Sequence, residues 1–181
     1  DEEEKSIDLL RNLKRAFDEL SSYIKDEDDD QFNYKASWLA KGFTDNIIIG
    51  YPIYTDYGEP ELGTMINNLQ YFQLQMILKG FFFRGGIAVG DLYMDEEIVY
   101  GSGLIEAIET ERKKARDPRI VLSESAIEYV NTHIDFYGKA TFSPQYEDLL
   151  RDTDGQIFIN YLDPIIEFIE YIDKESFLFY L

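Results

Sequence analysis

Cysteine is absent from the 181-residue sequence, and histidine occurs once, as His133. Without cysteine the chain has no disulfides and no thiolate metal sites, and one histidine builds neither a histidine metal cluster nor a catalytic triad. We therefore expect a structural role for His133. Because no feature requires an oxidising compartment, we expect a cytoplasmic protein.

Several patterns with a known function are missing as well. The sequence has no Walker-type glycine-rich loop and no nucleophile elbow, which removes the commonest nucleotide-binding and acyl-transfer classes. No long apolar run is free of charges, so we expect no membrane-spanning helix. A basic start followed by an apolar stretch is also missing, so a secretory signal is not predicted.

Positive charge is scarce, since 17 lysines and arginines stand against 36 acidic residues, for a net charge of −19. Nucleic acids and anionic membranes are bound through positive patches, so neither is expected as a partner. A phosphate-bearing ligand remains compatible, because divalent cations invert the local field where carboxylates cluster. The alternative is a solvated acidic surface, in which the acidic run 26–30 is a linker.

Hydrophobic residues make up 45% of the chain, enough for one domain spanning 1–181. Helices are predicted over 1–25, 61–78, 102–116 and 164–172, with another starting at Ser123. Strands are predicted over 32–39, 43–51, 81–92, 98–100, 119–122, 134–137 and 156–161, with a hairpin link at 40–44. Because the order is irregular, we expect an α+β fold with helices on one face of a mainly antiparallel sheet. The helical start and the apolar end at 177–181 predict that residues are missing at both ends.

Two charged residues near the predicted hairpin are candidates for chemistry. Asp45 lies between predicted strands, beside three isoleucines, where a carboxylate can bind Mg²⁺ or Mn²⁺ while substrate phosphates complete the shell. It can equally be a turn residue that caps its own backbone. Lys41 can place an ammonium near a base or phosphate across the hairpin, or it can be an ordinary exposed lysine.

A second group of candidates follows the predicted helix 61–78. Arg84 precedes Gly85 and Gly86, and paired glycines inside a strand indicate either a bulge or the close approach of another backbone or a ligand. Asp91 can be a second acidic ligand, although a turn at the end of the strand is favoured. Further on, Glu106, Glu109 and Glu111 precede several basic residues, and pairs between helical turns explain much of this pattern.

Four segments together resemble class III nucleotide cyclases: KGFTDNIIIGYP (41–52), FFFRGGIAVGDLY (81–93), IVYGSGLIEAIETE (98–111) and DPRIVLSESA (117–126). The first is similar to the metal-binding hairpin of that family, with Lys41 at the place of the base-reading lysine and Asp45 at that of the second metal aspartate. The segments are more similar to the pyrimidine cyclases of the Pycsar anti-phage systems. The resemblance spans about residues 38–161.

The resemblance implies a ferredoxin-like cyclase fold and the conversion of a nucleoside triphosphate, UTP or CTP, to a 3′,5′-cyclic nucleotide and pyrophosphate. Two divalent cations, Mn²⁺ or Mg²⁺, would hold the triphosphate and lower the pKa of the attacking ribose hydroxyl. The implied catalytic residues are Asp45, as metal ligand, and Arg84, and the implied substrate-binding residues are Lys41, Thr44 and Arg112. The family builds its site between two head-to-tail subunits, so a homodimer is implied.

The sequence departs from the family at three places. The first metal aspartate of the family lies on a strand that would precede residue 1. Ile105 occupies the place of the usual asparagine and Glu109 that of the usual arginine, so Arg84, Arg112 or Lys113 would have to supply positive charge. These departures favour an alternative, a catalytically inactive nucleotide-binding or dimerisation domain. Lys41 resembles a feature of purine cyclases, so an adenylate or guanylate cyclase remains an alternative function. A diguanylate-cyclase-like enzyme is a weaker alternative, because the GG-acidic-acidic-Phe hairpin of those enzymes is missing from the sequence.

Overall fold

A computed structural model describes residues 11, 14–15, 39–43, 46–53, 58–134, 137, 143 and 145–165. These residues form an α+β arrangement of helices and a mixed sheet. In chain order the elements are β1 Leu39–Phe43, β2 Asn46–Gly50, α1 Gly58–Leu78, β3 Gly85–Ile87, β4 Tyr93–Met94, β5 Val99–Tyr100, α2 Ser102–Lys114, β6 Ile120–Leu122, α3 Glu124–Ile134, α4 Gln145–Asp148, β7 Leu149–Arg151 and β8 Ile157–Ile159.

The main sheet has four strands in the order β3-β6-β8-β7. β3 is parallel to β6, with Gly85 opposite Ile120, whereas β6–β8 and β7–β8 are antiparallel. The parallel pair needs a crossover connection, and α2 lies within that connection. The sheet is therefore mixed, with two antiparallel pairings and one parallel pairing, and the structure agrees with the predicted α+β class.

Helices cover both faces of this sheet. On one face, α1 and α3 contribute Ile66 and Val130 to a core that also contains Ile120, Leu122 and Ile159. On the other face, α2 packs against Gly86, whose added Cβ would lie 2.2 Å from the Ala107 oxygen. The prediction of helices on one face was wrong, because the β3–β6 crossover places its helix opposite α1 and α3.

Helix α1 forms because its apolar residues fall at helical spacing, so that Leu62, Ile66 and Phe72 are buried along one side. It ends where Gly80 adopts a φ of 85°, with the Gly80 N–H donating to the Ile77 oxygen at 2.8 Å. A glycine in the left-handed region is the common way to end a helix, and this predicted stop is confirmed.

Two hairpins complete the fold. In β1–β2, Leu39 pairs with Gly50 and Phe43 with Asn46, so the link between the strands is residues 44–45, and residues 40–43 of the predicted link belong to β1. The prediction was wrong because Ala40, Lys41 and Gly42 have side chains too small or too flexible to distinguish a link from a strand. In β4–β5, Tyr93 pairs with Tyr100 around the predicted turn, and the two rings stack with centroids 5.1 Å apart.

Some predicted elements differ from the structure. The predicted strand 81–92 contains only the short strand β3, and beyond it the Asp91 oxygen accepts a hydrogen bond from the Gly103 N–H of α2 and not from a strand. Ile134 ends helix α3 and does not begin a strand, whereas α4 and β7 were not predicted. The predicted elements at 1–25, 32–39 and 164–172 fall wholly or mostly outside the described residues. Among the helices described, none is long and apolar enough to cross a membrane.

Candidate functional site

The hairpin β1–β2 carries the first group of predicted site residues. Lys41 lies opposite Ile48 in the hairpin, and Phe43 pairs with Asn46. Between that last pair the chain contains Thr44 and Asp45, which lie outside the described residues. Their predicted roles in substrate and metal binding therefore stay predictions.

Lys41 connects this hairpin to the hairpin β4–β5. Its Nζ atom donates a hydrogen bond to the backbone oxygen of Asp95, at a distance of 3.0 Å. The side chain of Lys41 is half-buried, and its predicted contact with a base or phosphate stays a prediction. The contact brings a positive charge to the turn of β4–β5.

Asp95 organises that turn. Its Oδ1 atom accepts hydrogen bonds from the backbone N–H groups of Glu97 and Ile98, at 2.8 and 2.7 Å, and its Oδ2 accepts from the Tyr93 hydroxyl at 2.7 Å. The Ile98 bond, followed by those from Tyr93 and Glu97, lowers the pKa of Asp95, to which the charge of Lys41 adds. The same bond to Asp95 raises the pKa of Tyr93. The turn that Lys41 contacts is therefore organised around the Asp95 carboxylate.

Arg84 is placed immediately before β3 and reaches the C-terminal half of α2. Its Nε atom forms an ion pair with Glu111, and its Nη1 donates to the Ala115 oxygen at 3.4 Å. The side chain is nevertheless 51% exposed. Arg84 is therefore oriented by Glu111 while about half of its side-chain surface remains exposed.

Helix α2 places its other charged candidates outward. Glu109 pairs with Lys113 one turn later, at 2.7 Å, which confirms the predicted pairing between helical turns. That bond, supported by the charges of Lys113 and Arg112, lowers the pKa of Glu109. Arg112 is exposed, and Ile105 has 62% of its surface accessible. Ile105 and Glu109 therefore lie on the solvent side of this helix.

The paired glycines before Ile87 allow close approach of a helix. A Cβ on Gly86 would meet the Ala107 oxygen at 2.2 Å and the Glu111 nitrogen at 2.9 Å. The second of the two predicted alternatives, close approach of another backbone, is therefore confirmed. The approach brings Glu111 within reach of Arg84.

Glu106 has a different role from its neighbours on α2. Its Oε1 atom accepts a hydrogen bond from the Ser125 N–H, at 3.2 Å, in the first turn of α3. Hydrogen bonding from Ser123 and then from Ser125 outweighs burial and lowers the pKa of Glu106. A carboxylate near a helix N-terminus is stabilising, so this residue joins two helices.

The remaining candidates occupy structural positions. The Asp91 N–H donates to the Ser102 hydroxyl at 3.2 Å, and its oxygen accepts from Gly103, as expected for a turn. His133 is buried, with its ring edge-on to Tyr129 at a centroid distance of 4.5 Å. These contacts agree with the structural roles expected for both residues.

A cavity of about 610 Å³ lies between β2 and β3. Helix α1 provides Met65, Ile66 and Leu69 to its wall, and α2 provides apolar residues together with Glu111 and Arg112. Arg84 lines it as well, so the structure brings Arg84 and Arg112 to one cavity. Lys41 is not among its lining residues.

The implied cations have few candidate ligands in the part of the chain that can be described. Within it, no group of three or more acidic or histidine side chains could hold a metal ion. Asp45, the predicted ligand, is outside that part.

Two residues that shape the candidate site, Asp95 and Glu106, were not identified from the sequence. The ordering of the turn by Asp95 has a local signal, since aspartate hydrogen-bonds its own backbone two or three residues on, and Asp95 stands at a predicted turn. The bond between Glu106 and Ser125 has no such signal, because it joins residues that only the tertiary fold brings together.

The chain matches no protein-family model, no curated protein and no solved structure.

Proposed function

We propose that the protein is a nucleotide cyclase that converts UTP or CTP to a 3′,5′-cyclic nucleotide and pyrophosphate, as a second messenger in anti-phage defence. One observation carries the proposal: all four segments that resemble the cyclases contribute to the wall of the same cavity. Segment 41–52 contributes β2, and segment 81–93 contributes β3 with the residues that flank it. Segment 98–111 contributes residues of α2, and segment 117–126 contributes Ile120, Leu122 and Ala126. Segments distant in sequence converge on one place, as a shared site requires.

The proposed roles follow from charge and position. Arg84 and Arg112 give a strongly acidic chain two guanidinium groups at one cavity, where they would bind triphosphate oxygens. Asp45 would bind a divalent cation through its carboxylate, and Lys41 and Thr44 would contact the substrate. The two cations, Mn²⁺ or Mg²⁺, would supply activation of the ribose hydroxyl and neutralisation of phosphate charge. We expect the active form to be a head-to-tail homodimer.

A second candidate function is a nucleotide-binding or dimerisation domain without turnover. It is favoured by the ion pair between Arg84 and Glu111, because a guanidinium already neutralised by a carboxylate stabilises transition-state charge less well. The exposed Ile105 and the pairing of Glu109 with Lys113 point the same way. Nucleotide binding without product would support this candidate.

The test is incubation of the purified protein with Mn²⁺ and each of the four nucleoside triphosphates in turn. We expect pyrophosphate and a cyclic nucleotide from UTP or CTP, and loss of turnover by at least about 100-fold in Asp45→Asn. Glu128→Gln, an exposed carboxylate on α3, is the matched control and should retain activity.

The outcomes separate the candidates. No cyclic product from any triphosphate would overturn the cyclase proposal. Unchanged activity in Asp45→Asn would overturn the metal assignment alone. Preferential turnover of ATP or GTP would keep the enzyme class and correct the base. Sedimentation with and without UTP tests the dimer, and a monomer at full activity would contradict a shared site.

A further inference from the structure

Arg119 is a buried arginine at the junction of several elements. Its side chain is only 4% exposed, and arginine is seldom buried to that extent unless its charge is paired. It lies between the end of α2 and the start of β6, and Pro118 before it accepts a hydrogen bond from the Gln73 side chain of α1, at 3.0 Å. The proposed chemistry assigns no role to this residue.

Two carboxylates of one turn hold the Arg119 guanidinium. Its Nη1 atom forms an ion pair with Asp152 and its Nη2 atom forms one with Asp154, both in the turn that joins β7 to β8. The turn is itself closed by a hydrogen bond, because the Gly155 N–H donates to the Asp152 backbone oxygen at 2.9 Å. The guanidinium also lies over the ring of Phe158 in β8, with 5.5 Å between Cζ and the ring centroid. The hairpin β7–β8 therefore fixes the direction of the Arg119 side chain.

Arg119 in turn holds the C-terminal end of α2. Its Nη2 atom donates a hydrogen bond to the Lys114 backbone oxygen, at 3.4 Å. The next backbone oxygen, that of Ala115, accepts a hydrogen bond from Nη1 of Arg84, also at 3.4 Å. Two arginines therefore bind successive carbonyl groups at the end of this helix, where the helix dipole favours positive charge.

The backbone of Arg119 makes a second connection toward Arg84. Its oxygen accepts a hydrogen bond from the Gly85 N–H, at 3.1 Å, at the start of the parallel pairing between β3 and β6. Gly85 directly follows Arg84 in the chain. Arg119 therefore contacts the residue next to Arg84 and also the helix end to which the Arg84 guanidinium is bound.

We propose that Arg119 is a positioning residue for Arg84, and that the carboxylates of Asp152 and Asp154 set the position of Arg84 through it. The end of α2 carries Glu111 and the Ala115 oxygen, which are the two groups that orient the Arg84 guanidinium. Because closely packed elements transmit small displacements, a helix end released by Arg119 moves both groups relative to β3.

This inference deepens the proposed function and rests on it in one respect, since an effect on turnover requires that Arg84 binds triphosphate. The positioning itself requires neither nucleotide nor cation. It is therefore measured directly on the Arg84 side chain, whether or not the protein forms a cyclic nucleotide. Turnover by the unchanged protein tests the proposed function separately.

The experiment follows the Arg84 side chain by NMR in the 181-residue chain and in a double variant, Asp152→Asn with Asp154→Asn, here named the turn variant. Asparagine keeps the size of each side chain and removes its charge. The ion pair with Glu111 protects the Arg84 Nε–H, so hydrogen exchange at this group should be at least about 5-fold faster in the turn variant. The signal is assigned by its loss in Arg84→Lys.

Two controls separate positioning from a general loss of stability. Backbone exchange at Ile66 and Val130, in the core on the opposite face of the sheet, should stay within about 2-fold in the turn variant. Glu128→Gln removes an exposed carboxylate from α3 and should leave exchange at Arg84 unchanged.

Substitution of Arg119 itself provides a second arm. Arg119→Met removes every side-chain hydrogen bond and should accelerate Arg84 Nε–H exchange at least as much as the turn variant does. Arg119→Lys keeps the charge but lacks the planar fork that reaches two carboxylates and the Lys114 oxygen together, so it should restore the protection only in part. The turn variant changes only exposed side chains, and it keeps the proposal testable if Arg119→Met does not fold.

Turnover of UTP with Mn²⁺ extends the test to the reaction. In the turn variant kcat should fall about 10-fold while KM stays within about 2-fold, because a displaced Arg84 stabilises the transition state less well. A general loss of structure would instead lower the fraction of folded protein and accelerate exchange throughout the core.

Two results would overturn the proposal. One is unchanged Arg84 Nε–H exchange in both the turn variant and Arg119→Met, because Arg84 would then be positioned without Arg119. The other is exchange at Ile66 and Val130 that accelerates by the same factor as at Arg84, because the turn would then stabilise the whole domain without a specific effect. Failure of the unchanged protein to form any cyclic nucleotide would overturn the proposed function and leave the exchange result intact.

Discussion

The ammonium of Lys41 donates a hydrogen bond to the backbone oxygen of Asp95, at 3.0 Å, and so joins two hairpins that are not paired with each other in the described part of the sheet. The contact fixes the position of β1–β2 relative to the turn of β4–β5.

Replacing this lysine should loosen the first hairpin. In Lys41→Met the apolar stem is kept and the ammonium is lost, so we expect several-fold faster amide exchange across Ile47–Gly50. Lys113→Met, which removes an exposed ammonium paired within α2, is the control and should leave that exchange unchanged. Equal exchange in both variants would contradict a positioning role for Lys41.

The hydrogen bond from Tyr93 predicts a shift in the titration of Asp95. The pKa of Asp95 is lowered, so its stabilisation of the turn is present above its ordinary pKa and is lost as the pH falls through the lowered value. Tyr93→Phe should move the pKa of Asp95 upward and shift that loss to higher pH, measured by NMR of the Asp95 carboxyl carbon. Tyr100→Phe keeps both the ring stack and the Tyr93 bond to Asp95, so it should leave the titration unchanged.

Close packing of β3 on α2 predicts opposite effects for two glycine substitutions. Gly86→Ala forces a methyl group against the Ala107 backbone and should lower the free energy of unfolding by about 1–3 kcal/mol or more. Gly63→Ala, on α1 with open space around its Cβ, should raise it by about 0.5–1 kcal/mol. Urea denaturation measures both, and the same sign for both would contradict the packing described.

The guanidinium of Arg84 is the basis of a prediction about turnover. If its exposed part binds triphosphate, Arg84→Met should reduce kcat by about 100-fold, comparable to the loss of one preorganised donor. Arg116→Met removes an exposed arginine beyond the end of α2 and is the control. Full activity in Arg84→Met would leave Arg112 as the phosphate-binding candidate.

The core between α1 and the sheet predicts a large loss of stability on truncation. Ile66 is 0% exposed and contributes to the core with Ile120, so Ile66→Ala should cost about 2–5 kcal/mol in the free energy of unfolding. Ile105→Ala truncates the same side chain at 62% exposure and should change stability by less than about 0.5 kcal/mol. Thermal unfolding of the two variants provides the comparison.

Local signals were sufficient for helices α1, α2 and α3 and for several strands. Apolar spacing predicted α1, and Gly80 predicted its end, because both depend on residues within one or two turns. The three-residue strand β6 was predicted almost to its bounds, since Ile120, Val121 and Leu122 are all buried and strands buried on both faces form continuous apolar runs. The parallel pairing of β3 with β6 was not predictable in this way.

The candidate site was predicted less completely. The sequence identified Arg84 and Arg112, and the structure places both at one cavity, but it did not predict that Glu111 pairs with Arg84. That pair depends on how closely α2 approaches Gly86, a distance fixed by tertiary packing. For the same reason the contact between Lys41 and Asp95 was missed.

The position of β6 has a consequence for how the chain folds. This strand pairs with β3 and with β8. Along the chain, the hairpin β4–β5 and helix α2 separate it from β3, and α3, α4 and β7 separate it from β8. Both pairings close long loops, and loop-closure entropy must be lost before such contacts form. The rate of folding should therefore depend on this strand, with Val121→Ala slowing refolding, whereas changes in the locally closed hairpin β4–β5 should leave that rate unaltered.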